Sequence, residues 1–485
     1  MSKIVIIGGG VAGLTAGICA RLNGYDAVIF EKHRIAGGNL TGWDRGGFHI
    51  DNCVHWLTGT NPVTPQYRLW METGALGDVE IYQADSLYTY ETASGKLCLS
   101  RDVNRLHADM LALSPRDDRE IDAFIKALNA AKIIIEVSSK SNDKRATTSD
   151  LLSSLPLLLH YHRMTTHELG QRFSNPVIQG FMECLFPADF GALGLLVAMA
   201  TFCSDNGGVP KGGSLMMAQR MTERFVSLGG ELHCGTAVTG IGINGKRAVS
   251  VTTDKGETVN ADDVILAVDP AFAFGKLLDK SYMPLPLKKL YDHPSVSRFS
   301  SFHCAFSCEL SEPPFHGDRM VKIPKELQNV LRSEYLILRE YSHEEGFAPQ
   351  GKSLIQTMHY CTEDECRFYI RMKERPAEYR ALKKEISDEI AALIVSRYPE
   401  LSGKLHCIDT WTPATYKRYT GADIGSYMGF AFPPKLNPIF MNGRIKGLSN
   451  VYLATQWQQA PGGLPVASKA GEAAVKAIMK RDKRG

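Results

Sequence analysis

The stretch Ile4-Val5-Ile6-Ile7-Gly8-Gly9-Gly10-Val11-Ala12-Gly13 decides the fold. Its four β-branched residues read as a buried parallel strand, and Gly8, Gly10 and Gly13 follow with the spacing G-x-G-x-x-G. In that pattern Gly8 permits a tight turn, Gly10 lets backbone approach a pyrophosphate, and Gly13 lets the next helix press on the strand. The anion sits at the N-terminus of that helix, expected over 14–22, beside Val11 and Ala12. Asn23-Gly24 ends the helix and Ala27-Val28-Ile29-Phe30 is a second buried strand. Glu31 lies eighteen residues past Gly13, where an acid accepts from a ribose hydroxyl. This order of elements predicts an α/β dinucleotide-binding domain.

The same glycine pattern recurs at 240–245, and there the context test fails. Ile241 and Ile243 alternate into Asn244-Gly245, and Val249 and Val251 alternate out, which predicts a hairpin closed by a type I′ turn. One dinucleotide site is therefore expected, with no second domain for NAD(P)H.

A chain of 485 residues with 44% apolar and 22% charged residues has the composition of a globular protein of two or three intertwined domains. Fifty-five basic against 52 acidic residues leave a formal charge of +3, so no field of the kind that holds nucleic acid is expected. Eleven scattered cysteines read as reduced thiols of a cytosol-like compartment, and no metal site is expected. The longest uncharged runs fall short of a membrane span, and the N-terminal apolar stretch is too short for a signal peptide.

After Glu31 come Lys32, the pair Gly37-Gly38 with Asn39, and then Asp51, Cys53, His55 and Trp56. Two glycines keep a chain free of side chains where it crosses a ligand. Further along, 207–213 leads into a helix with Leu215, Ala218, Met221 and Phe225 on one face. Strand-like segments follow from Glu231 to 268, and near the end 450–454 reads as a strand before Gln456, Pro461-Gly462-Gly463-Leu464-Pro465 and a helix from about Val466 to Lys480. These segments together resemble the phytoene desaturase family, with its carotenoid isomerase and retinol saturase relatives, within the amine oxidase superfamily.

The resemblance implies a Rossmann-type, glutathione reductase-like FAD-binding domain, with a mixed α+β substrate domain built from insertions. It implies noncovalent FAD held by Gly8, Gly10, Val11, Ala12, Gly13, Glu31, Lys32, Gly37, Gly38, Asn39, His55, Trp56, Val238, Gln456, Gly463, Leu464, Pro465 and Val466. Val238 would touch adenine through its backbone. The family's usual glycine is Thr455 here and a family proline is Ala460, both beside the expected flavin ring. The FAD-binding parts are expected at 1–70, 201–272 and 441–485, and the substrate parts at 71–200, mainly helical, and 273–440.

Within those insertions 118–137 and 376–397 carry helical apolar stripes. The run Leu155-Pro156-Leu157-Leu158-Leu159 ending in His160-Tyr161-His162-Arg163 reads either as a buried helix start or as a segment that dips into a lipid interface. His55 is the candidate for proton transfer, with a packed histidine as its alternative. No cluster of charges near the ring is evident from sequence, although folding can bring Lys417, Arg418 or Asp423 there.

The expected function is that of an FAD-dependent oxidoreductase acting on C–C and C=C bonds of an apolar isoprenoid or polyene substrate, exchanging electrons with a diffusible acceptor or donor. A flavin amine oxidase is the enzyme alternative, and a binding protein like the GDP-dissociation inhibitors is the alternative without chemistry. A cytoplasmic protein with peripheral membrane contact is the expected setting.

Overall fold

A computed structural model describes residues 2–138, 148–187, 189–431, 434 and 441–483. The opening strand Lys3–Ile7 lies at the middle of a five-stranded parallel sheet in the order Glu231–Cys234, Asp26–Glu31, Lys3–Ile7, Asp263–Leu266, Val451–Leu453. Side chains alternate across a strand, so Ile4 and Ile6 bury against one layer and Val5 and Ile7 against the other. The first layer holds the helices Val11–Leu22, Gly213–Ser227 and Leu464–Asp482. Its core includes Leu14, Ile18, Met221, Phe225, Val475 and Ile478. Small residues bring these helices together: a Cβ on Gly17 would lie 2.7 Å from the Phe225 ring, and one on Gly471 would lie 2.3 Å from the Ala12 carbonyl oxygen.

The second layer is a three-stranded antiparallel sheet, Val238–Asn244, Arg247–Thr253 and Thr258–Asn260, with Phe274, Leu287 and Trp457 beside it. The second glycine match thus lies in a hairpin, as its alternation indicates. Its turn differs from the type I′ expectation. Asn244 pairs with Arg247, which leaves Gly245-Lys246 at the tip, and only Gly245 has a positive φ, 59°. One positive φ at the first central residue is the type II′ pattern, which glycine there makes accessible.

The rest of the chain builds on a seven-stranded sheet in the order Leu405–Trp411, Ser300–Cys308, Ser353–Cys361, Tyr335–Glu340, Arg319–Lys322, Ser86–Thr92, Gly95–Ser100. Ser300–Cys308 is buried along its whole length. Helices Asp118–Ser138 and Ala192–Cys203 share one core with Tyr88, Tyr90, Leu97 and Leu99, while Pro376–Arg397 packs on the other side through Ile386, Ile390 and Ile394. The segment 71–200 therefore contributes two strands to this sheet, and the short strand Ile81–Tyr82 elsewhere, in addition to its helices. Leu97 and Leu99, buried on either side of half-buried Cys98, are the local signal, over a run too short to compete with the helical stripe that follows. No helix among the described residues is long and apolar enough to cross a membrane.

Candidate functional site

The glycine turn closes where the two α/β layers meet. Gly8 has φ +105°, and a Cβ there would lie 2.5 Å from the Ala267 carbonyl oxygen, so the turn excludes any side chain. A Cβ on Gly13 would lie 1.9 Å from the Gly8 carbonyl oxygen, which locks the helix against the turn. Gly10 is different: a Cβ there meets nothing nearer than 3.9 Å, the Gly37 carbonyl oxygen and Gly38 Cα. Gly10 also caps the helix Val11–Leu22 with extended backbone and no side-chain acceptor. The first N–H groups of that helix, with its positive dipole end, therefore face a space kept clear of side chains. Gly37 N donates to the Gly9 carbonyl at 2.8 Å, laying Gly37-Gly38 alongside the turn.

Glu31 supplies the acid of this site and is 6% exposed. Its carboxylate accepts from Gly9 N at 2.7 Å and from His33 N at 2.9 Å, one bond to each oxygen. Each carboxylate oxygen keeps acceptor capacity for a hydroxyl. The backbone beyond Glu31 pairs with the approach to Val238: Thr236 N donates to the Glu31 carbonyl at 2.9 Å and Gly235 N to the His33 carbonyl at 2.6 Å. Val238 and Glu31 thereby lie at one end of the glycine cradle. Lys32 reaches out to the Arg418 carbonyl at 3.5 Å, and His33 stacks on Tyr419 with centroids 4.0 Å apart.

At the other end, hydrogen bonds join segments that sequence alone leaves far apart. Asn52 Nδ2 donates to the Asn39 carbonyl at 3.0 Å, and Asn39 Nδ2 to the Tyr427 carbonyl at 3.2 Å. Gln456 Nε2 donates to that same Tyr427 carbonyl at 3.1 Å, and Gly463 N to Gln456 Oε1 at 2.9 Å. Gly463 caps the helix Leu464–Asp482 with no side-chain acceptor, so Leu464, Pro465 and Val466 form a second open helix start. The Gly-Gly segment and the C-terminal loop, both expected at the flavin, are thus tied to each other through Tyr427. Asn39 Oδ1 is buried there with no partner, an acceptor that a bound group with an N–H or O–H would satisfy. The clear space at Gly10, the carboxylate of Glu31, two uncapped helix starts and this orphan acceptor fit FAD.

Tyr427 and Asn52 escaped the sequence reading. Asn52 adjoins Asp51 and was within reach of it, whereas nothing local marks Tyr427. A further buried chain stands behind Asn52: Tyr416 Oη donates to Asn52 Oδ1 at 3.0 Å, and the ring nitrogen of His303 lies 3.1 Å from Tyr416 Oη and 2.6 Å from Ser301 Oγ. Burial lowers the pKa of His303 to about 3, so it is a neutral member of that chain.

Asp51 and Cys53 are fastened to the helix that follows Gly212. Asp51 is 1% exposed and accepts from Cys53 N, Val54 N, Ser214 N and Ser214 Oγ, at 3.0, 3.2, 2.5 and 2.7 Å. It ties this segment to the helix Gly213–Ser227, with three of those four bonds on Oδ1. Burial pushes the Cys53 thiol up to about 12, which keeps it protonated. His55 and Trp56 line a cavity that also receives Phe202 and the end of the strand Tyr335–Glu340, and His55 Nδ1 is buried there without a partner. Trp457 is core, its ring centroid 4.9 Å from that of Phe430.

The charges the fold brings to this cavity are Asp318, Arg339 and Glu340. Lys417 instead donates to the Asp423 carbonyl, and Asp423 pairs with Arg298 at 3.3 Å. All eleven cysteines are free, and no cluster of metal-ligating residues occurs among the described residues.

The family model described as flavin containing amine oxidoreductase matches residues 11–479. Prolycopene isomerase of Daucus carota is 22% identical over 87% of this chain and 71% of its own length. A 4,4'-diapophytoene desaturase of Methylomonas is 21% identical over 99% of this chain and 95% of its own. Among solved structures, an oxidoreductase from Methanosarcina mazei superposes with a TM-score of 0.61 at 17% identity, covering 99% of this chain and 100% of its own. Putrescine oxidase bound to putrescine superposes with a TM-score of 0.60 at 14% identity, with 99% of each chain covered.

Proposed function

We propose, for a chain that belongs to the family of flavin containing amine oxidoreductases, that the reaction of this FAD-dependent enzyme is at C–C or C=C bonds of an apolar isoprenoid or polyene substrate. Bound FAD supplies the hydride acceptor or donor. The chain's own residues hold it noncovalently, orient the substrate and exclude water.

The observation that carries this reading is an aromatic wall beside the Tyr427 loop. Phe190, Phe299 and Ala431 form a buried cluster with Phe186, Tyr360, Tyr427 and Met428 packed on it. Phe186 stacks on Phe190 at 4.3 Å, and Phe299 meets Tyr360 edge-on at 5.4 Å and Tyr427 at 6.0 Å. The same Tyr427 is bonded to both Asn39 and Gln456, so the wall adjoins the two segments assigned to the flavin. Aromatic faces suit an extended apolar chain, whose burial contributes roughly 25 cal/mol per Å². The names of the two curated relatives, an isomerase and a desaturase of polyenes, support the same substrate class.

His55 is the residue that exchanges a proton with the substrate, through a ring nitrogen that the protein leaves without a partner. Electrons leave or enter through a diffusible partner. Leu155 and Leu159, one helical turn apart, are 50% and 48% exposed on the helix Thr148–Tyr161 and provide peripheral contact with a lipid surface, where the substrate is collected from a cytoplasmic protein's side.

Anaerobic titration decides between the substrate classes. Long polyenes perturb or reduce the flavin spectrum, and simple amines and amino acids leave it unchanged. Reduction by an amine with no response to any lipid overturns the proposal in favour of amine oxidation.

A further inference from the structure

The cavity beside His55 and Trp56 has a composition that a pure hydrocarbon does not need. Arg339, Glu340 and Tyr341 enter it, and they are 8%, 3% and 5% exposed. Arg339 Nε donates to Asp318 Oδ1 at 2.8 Å, and its Nη2 donates to the other oxygen, a two-point ion pair. Burial pushes the Asp318 carboxyl up, a penalty that this guanidinium contact offsets. Glu340 accepts from Gly317 N at 2.8 Å and from Ser342 N at 2.6 Å. The charged groups of this wall therefore already have partners inside the protein.

What is left over is a phenol hydroxyl and an imidazole nitrogen. Tyr341 Oη is buried with no partner, and so is His55 Nδ1. Tyr341 is held protonated by burial, with its pKa well above the usual phenol value. His343 lies with its ring stacked on Tyr82 at 4.4 Å, and burial lowers its pKa. Tyrosine hydroxyl and neutral imidazole each donate or accept one hydrogen bond, and leaving them unmade in a buried place is costly. The remainder of the lining includes Trp56, Leu87 and Phe202, which are apolar.

We propose that this cavity receives an uncharged, oxygen-bearing end of the substrate, a hydroxyl or carbonyl, with Tyr341 as its hydrogen-bonding partner. This inference rests on the isoprenoid reading above and adds to it a polar terminus. A charged end would find the charged groups of this wall already bonded within the protein, while a site built to bond a hydroxyl discriminates strongly against the analogue that lacks it.

The test uses the flavin-loaded full chain and four probes of one length: geranylgeraniol, geranylgeranylamine, geranylgeranic acid and the hydrocarbon that ends in methyl. Binding is read by quenching of tryptophan fluorescence and by perturbation of the flavin spectrum. The alcohol is expected to bind at least about tenfold more tightly than the other three. Tyr341→Phe closes that gap while leaving the Kd of the hydrocarbon and the flavin content unchanged. Equal affinity of alcohol and hydrocarbon for the native chain overturns this inference and leaves the isoprenoid reading standing. So does a gap that survives in Tyr341→Phe, or tightest binding by the amine or the acid. Failure of all four probes to bind overturns both.

Discussion

Asn39 and Tyr427 are 388 residues apart in the chain and share a hydrogen bond, side-chain nitrogen to backbone oxygen, at 3.2 Å. Gln456 donates to the same oxygen, so one carbonyl joins the Gly-Gly segment, the second insertion and the C-terminal loop. The assignment of a flavin to this place depends on that junction, because each segment alone is only a glycine turn. Four consequences are open to measurement.

Gly10 and Gly13 belong to one motif and fail differently. Gly10→Val places a branched side chain in the clear space facing the helix start, so the folded protein loses its flavin and melts like the flavin-free native chain. Gly13→Ala forces a methyl group onto the Gly8 carbonyl and costs roughly 2 kcal/mol or more of stability. Flavin absorbance after gel filtration and thermal melting of both variants check the contrast. Normal flavin occupancy in Gly10→Val counts against the site.

Asp51 acts as a structural clamp. Asp51→Ala leaves the two Ser214 donors without their acceptor, while the Cys53 and Val54 N–H groups keep Ser214 Oγ, a loss of about 3 kcal/mol at ordinary unsatisfied-group costs. Urea unfolding measures it. A variant as stable as the native chain with its activity abolished would assign Asp51 to chemistry instead.

Asp269 gives the fold a pH dependence of known sign. Burial, reinforced by nearby Asp423, raises its pKa from 3.8 to about 7, and one carboxylate oxygen has no partner. Below pH 4 both folded and unfolded chains hold the proton and this contribution is intact. Between pH 4 and 7 the unfolded chain releases a proton that the folded chain keeps, so stability falls as pH rises, by on the order of 3 kcal/mol, and then levels off. Asp269→Asn retains an acceptor for the Ala271 N–H and should remove this slope. Melting temperatures of both proteins from pH 4 to 8 are the measurement, and parallel curves refute it.

Electron supply follows from the hairpin at Val238–Thr253. The second glycine pattern is spent on a type II′ turn, so that pattern offers NADPH no cradle. Mixing the oxidised protein with NADPH alone in a stopped-flow instrument should leave the flavin oxidised, whereas rapid bleaching would reveal a different nicotinamide site.

What the sequence by itself determined is the nucleotide-binding half. Strand, turn, helix and acid occupy one continuous stretch from Ile4 to Glu31, and the groups that meet a phosphate there are backbone N–H groups whose position is set by glycine spacing. The same local logic located Gly37-Gly38 and the helix at Leu464–Asp482, and separated the true motif from the hairpin. Only the tertiary structure decided the rest. It tied Asp51 to Ser214 as a clamp, chose type II′ over type I′, and put three strands into the segment read as helical. It also brought Asp318 and Arg339 beside His55, and Tyr427 between Asn39 and Gln456. These are contacts between side chains and backbone hundreds of residues apart, set by how the seven-stranded sheet packs on the nucleotide domain. No short-range spacing encodes them, because a cavity wall needs only that residues converge in space.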